Sequence, residues 1–86
     1  MTTKPQTAFI VGASRGLGLA LAAEYLERGW HVIATVRGSA RTKLHDLKAA
    51  AGARLEIEPL DIDIPSDVAA LRQRLDGRTL DVLFVN

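Results

Sequence analysis

Apolar residues fall into four short runs, and the segments between them carry helical periodicity. Thr7 to Val11 (TAFIV) is an apolar run stopped by Gly12, the pattern of a buried strand. After a glycine-rich turn, Leu17 to Arg28 places Leu17, Leu21, Glu24 and Arg28 at helical spacing among good helix formers. Gly29 then serves as the residue just past the helix end. Trp30 to Val36 is rich in β-branched residues and predicts a second strand. Ala40 to Ala51, with Leu44, Leu47 and Ala51 on one face, predicts a second helix closed by Gly52. Arg54 to Leu60 alternates, with Leu55 and Ile57 on one side, and predicts a third strand. Pro65-Ser66-Asp67 opens a third helix running to about Asp76, its stripe made by Val68, Leu71 and Leu75. Leu80 to Val85 is the fourth strand.

Strands alternating with helices predict an α/β fold with a parallel sheet. Right-handed crossovers then give a partial, doubly wound sheet of Rossmann type, βαβαβαβ, with strand order 3-2-1-4. The first two helices cover one face, and the third crosses to the other. Residues 1–86 read as the N-terminal portion of one such domain, with residues 1–6 as a frayed arm.

Composition narrows the function little. The 86 residues are 48% hydrophobic and 24% charged, as in ordinary globular proteins. A chain of this size buries only about 60% of its unfolded surface. No Cys is present, which fits a reducing cytoplasm. The net charge of +1 gives no field that selects nucleic acid or an acidic membrane surface. No apolar run approaches the length of a membrane span. His31 and His45 have no partner at metal-ligand spacing.

The chemistry lies in Gly12-Ala13-Ser14-Arg15-Gly16-Leu17-Gly18, between a strand and a helix. Gly12 allows a tight exit from the strand, Gly16 lets the backbone approach a pyrophosphate, and Gly18 lets the helix pack on the sheet. Unpaired N–H groups at the helix start then face the anion. The spacing Gly-x-x-x-Gly-x-Gly departs from the usual dinucleotide fingerprint. No Lys-Ser/Thr follows, so it is not a P-loop. A turn that simply needs glycines is the plain alternative. A receiver-type domain is disfavoured, because Gly, Ser and Arg stand where its acidic cluster belongs.

No acidic residue occurs between Glu27 and Asp46, where an NAD site places its ribose-binding carboxylate. Arg37 follows the second strand instead, and Arg15 sits in the turn. Both suit a 2′-phosphate, with the Ser14 hydroxyl as a further donor. As plain alternatives, Arg37 is a solvated loop charge and Arg15 a surface residue. Arg41 and Lys43 are expected on the exposed face of the second helix, and Trp30 as a packing contact at the first helix end.

The turn resembles the glycine motif of the short-chain dehydrogenase/reductase family in its GxxxGxG subgroup. The family has Thr-Gly where this chain has Val11-Gly12, and that Thr ties the turn to the fourth strand, which Val11 cannot do. Asp61, with Ile62 beside it, matches the family's adenine-contacting Asp, although a turn or helix-start carboxylate is also a sufficient reading. Val85-Asn86 matches the start of the Asn-Ala-Gly signature.

The resemblance implies Gly12, Ser14, Arg15, Gly16, Leu17, Gly18, Arg37, Asp61, Ile62 and Asn86 as cofactor-binding residues. It also implies NADP as cofactor and a whole protein moving hydride between NADP(H) and a carbonyl or alcohol as a homo-oligomer. The family's catalytic Ser and its Tyr-x-x-x-Lys pair have no counterpart in this chain. Tyr25 lacks a Lys four residues on and is a packing residue. These residues are therefore expected to be inactive alone, as part of a longer reductase. The alternative expectation is a non-catalytic nucleotide-binding module that self-associates through a poorly covered fourth strand.

Overall fold

The computed structural model describes residues 6–38 and 41–85. The elements are β1 (Thr7–Val11), α1 (Gly16–Glu27), β2 (His31–Val36), α2 (Lys43–Ala51), a 3-10 turn (Gly52–Arg54), β3 (Leu55–Pro59), α3 (Pro65–Arg74) and β4 (Val82–Val85). The four strands are parallel and ordered β3-β2-β1-β4, as the alternation predicted.

The element ends differ from expectation for local reasons. Gln6 is not part of a frayed arm, because its carbonyl accepts from the His31 amide at 2.8 Å and extends the β1–β2 ladder. Residues 1–5, the rest of the expected arm, lie outside the described residues. Trp30 donates its amide to the Tyr25 carbonyl, and Gly29, at φ 84°, donates to Leu26. These two bonds close α1 and delay β2 by one residue. The Trp30 ring packs against Tyr25, centroids 4.7 Å apart. α2 begins at Lys43 rather than Ala40, because Thr42 caps it. The Thr42 hydroxyl accepts from the Leu44 amide at 3.2 Å, and Thr42 N–H donates to His45 Nδ1 at 3.0 Å. Arg41 therefore precedes α2 instead of lying on its face. The expected third strand loses Arg54 and Leu60, the fourth starts at Val82 rather than Leu80, and α3 ends two residues before Asp76.

Alternation along the strands sends residues to two cores. Ile10, Val32, Ala34 and Leu55 pack with Ala22, Leu26 and Leu44 beneath α1 and α2. Phe9, Ile33 and Leu60 pack with Leu71 beneath α3. The third helix has thus crossed the sheet. Its face is less fully covered, since Leu83 and Val85 on edge strand β4 are each 63% exposed. Among the described residues, no helix is long and apolar enough to cross a membrane.

The N-terminal ends of the strands are closed by polar pairs. Glu56 on β3 accepts two bonds from Arg78, at 2.9 and 2.6 Å, and meets His31 Nε2 at 2.5 Å. Hydrogen bonding to Arg78, helped by His31, lowers the Glu56 carboxyl from 4.5 to about 2 against the opposing effect of burial. Asp81 accepts from the Thr7 amide at 2.7 Å and returns its own N–H to the Thr7 carbonyl at 2.8 Å.

Candidate functional site

All described residues assigned to the site lie at the opposite end, where the strands finish. Gly12 and Gly16 take φ of 82° and 61°, a region costly for residues with a Cβ. Gly18 is required for another reason. A Cβ there would lie 2.2 Å from the Gly12 carbonyl oxygen, so α1 rests directly on the turn it follows. Gly16 has open space around its α-carbon, so its backbone is approachable from outside.

The turn is anchored to β2. The Gly12 amide donates to the Thr35 hydroxyl at 2.9 Å, and the Ala13 amide donates to the Thr35 carbonyl at 2.9 Å. Thr35 is 1% exposed and, among the described residues, is the one buried polar residue. The sequence reading missed it, having looked to position 11 for a hydroxyl. The available signal was a lone hydroxyl inside the otherwise apolar stretch Val32 to Val36.

The start of α1 has the character of an anion site. Arg15 is its N-cap residue, yet no side chain caps the helix, and the first turn carries no acidic residue. Helix geometry leaves the first N–H groups without intrahelical acceptors, and the helix dipole makes that end positive. Arg15 and Leu17 are exposed, Ser14 is half-buried, and Arg15 has no ion-pair partner among the described residues. Anionic groups bind such helix starts.

A second cluster forms where β2 and β3 end level, Val36 opposite Pro59. Arg37 Nε lies 3.6 Å from Asp61 Oδ2, and its terminal nitrogen is 3.3 Å from Asp63 Oδ2. The other Asp61 oxygen accepts from the Asp63 amide at 3.0 Å, so the plain turn role also has a footing. Ile62 is 66% exposed. Asn86 lies outside the described residues. Sequence reasoning named Arg37 and Asp61 separately. Their pairing follows from the β2–β3 register, which sets Val36 opposite Pro59 and so brings Arg37 near Asp61.

The structure unites Ser14, Arg15 and Gly16 with residues from the start of α2, around a concavity of about 490 Å³. Arg37 does not line it.

Known proteins resemble this chain in sequence and fold. The profile of the short chain dehydrogenase family matches residues 6–86. A short-chain dehydrogenase/reductase structure from Burkholderia multivorans with bound NADP is 55% identical, with a TM-score of 0.91, over 96% of this chain and 36% of its own. A carbonyl reductase from Pseudomonas aeruginosa PAO1 in complex with NADP is 38% identical, with a TM-score of 0.83, over 94% of this chain and 37% of its own. A short-chain dehydrogenase of Penicillium crustosum is 40% identical over 86 residues, 94% of this chain and 30% of the relative. The chain thus spans roughly a third of the length of these relatives. With the family profile matching residues 6–86, the chain belongs to the short-chain dehydrogenase family.

Proposed function

We propose that this chain is the NADP(H)-binding portion of an oxidoreductase that moves hydride between NADP(H) and a carbonyl or alcohol substrate. The observation that carries this reading is the start of α1: uncapped, free of acidic residues, reached by a turn with open space at Gly16, and flanked by Arg15. The pyrophosphate sits against the N–H groups of that helix, with Gly12 and Gly18 holding the turn close beneath it. NADP-bound relatives at 55% and 38% identity support the choice of dinucleotide.

Arg15 and Arg37 hold the 2′-phosphate, with Ser14 donating its hydroxyl. Leu17 covers the approach to the helix start. Asp61 and Ile62 flank the adenine, and Asn86 is assigned to cofactor binding by its match to the family's Asn-Ala-Gly signature. The bound nicotinamide supplies the hydride chemistry. The residues of this chain bind and orient it.

The test is dinucleotide affinity by calorimetry. Arg37→Asp weakens NADPH binding by about 2 kcal/mol or more, since a charge-assisted contact becomes repulsion beside Asp61 and Asp63. NADPH affinity equal to that of the unaltered protein overturns the assignment.

Exposure of Leu83 and Val85 on edge strand β4 favours a second reading, in which this chain self-associates as a nucleotide-binding module. Sedimentation of a well-folded monomer at micromolar concentration counts against it.

A further inference from the structure

We propose that Lys43, beside an Arg41 held by Asp46, is a specificity-determining residue for the phosphorylated dinucleotide, reading the 2′-phosphate from the start of α2. This inference rests on the NADP(H) reading and adds to the two arginines named there.

The concavity beside the glycine turn is shared by two elements. Ser14, Arg15 and Gly16 form one wall, and Arg41, Lys43 and Asp46 form the other. It therefore gathers three cationic side chains against one carboxylate. Asp46 is engaged by Arg41 at 2.6 Å, which fixes the guanidinium and offsets one positive charge. Lys43 and Arg15 are both exposed, and neither has an ion-pair partner among the described residues.

Arg37 stands in a different electrostatic setting. It lies between Asp61 at 3.6 Å and Asp63 at 3.3 Å, so two carboxylates offset part of its charge. The less compensated positive charge beside a phosphate held by Arg15 and Arg37 therefore lies toward the concavity, which Arg15 and Lys43 both line. Lys43 is also the first residue of α2, a nine-residue helix that the Thr42 hydroxyl caps, so its position on this wall is fixed by the helix start. A ribose bearing only hydroxyls gains little from an ammonium group. The contribution of Lys43 therefore falls on the phosphorylated dinucleotide alone.

Calorimetric titration of the protein with NADPH, NADH and 2′,5′-ADP tests this. Lys43→Gln weakens NADPH and 2′,5′-ADP by about five- to tenfold, leaves NADH unchanged and flattens the salt dependence of NADPH binding. Lys43→Arg restores most of the loss, and Arg41→Gln produces a smaller loss of the same selectivity. If the unaltered protein prefers NADPH and Lys43→Gln keeps that preference intact, the inference fails while the NADP(H) reading stands. If Lys43→Gln weakens NADPH and NADH equally, Lys43 only shapes the turn and the inference also fails. If the unaltered protein shows no preference for NADPH, the reading beneath the inference fails first.

Discussion

The two ends of the sheet use the same residue types to opposite effect. At the N-terminal ends of the strands, charges satisfy one another: Arg78 clasps Glu56 with two bonds, His31 joins them, and Asp81 returns to Thr7. At the C-terminal ends, Arg15 has no ion-pair partner among the described residues and α1 starts without a capping side chain. Arg78, with two bonds to Glu56, ties its loop to β3. Arg15, beside an open helix start, has donors left for something outside the protein. The difference between these two arginines lies in what the backbone places nearby.

Breaking the binding end produces the largest effect. Gly18→Val puts side-chain atoms where even a Cβ would lie 2.2 Å from the Gly12 oxygen, and a backbone atom cannot swing aside. Thermal unfolding should show a loss of about 3 kcal/mol, with NADPH binding abolished as α1 lifts from the turn. Unchanged melting would mean that α1 does not rest on the turn as described.

Breaking the closed end costs less and spares binding. The Glu56 carboxyl is held at about 2 in the folded protein against an ordinary 4.5. Its ion pairing therefore contributes fully above pH 4.5 and fades as pH falls toward 2. The carboxylate is 34% exposed, so solvent screening leaves about 1 kcal/mol of stabilisation. Glu56→Gln should be less stable by that amount at pH 7, converge with the unaltered protein at low pH, and bind NADPH equally well. A stability gap that persists unchanged down to pH 2 would show that charge is not its cause.

Much of this was readable from sequence because it depends on local pattern. TAFIV followed by the glycine turn placed β1 and the start of α1 within a residue or two, and strand–helix alternation gave the order 3-2-1-4. The three turn glycines were identified by spacing, and the structure gives separate reasons for their presence. What escaped depends on register and end effects. Thr35 anchors the turn only because β2 lies beside β1 in one particular alignment. Arg37 meets Asp61 only because Val36 stands opposite Pro59. Lys43 is exposed on the second helix as expected, but Arg41 precedes that helix, because periodicity could not reveal that Thr42 caps its start.

The most direct test follows backbone amide signals by nuclear magnetic resonance during titration with NADP⁺. Binding at the start of α1 predicts saturable shifts largest at Gly16, Leu17 and Gly18, with His31, Glu56 and Arg78 at the far end of the sheet unmoved. No saturable shift, or shifts centred on the His31–Glu56–Arg78 end, would contradict the account.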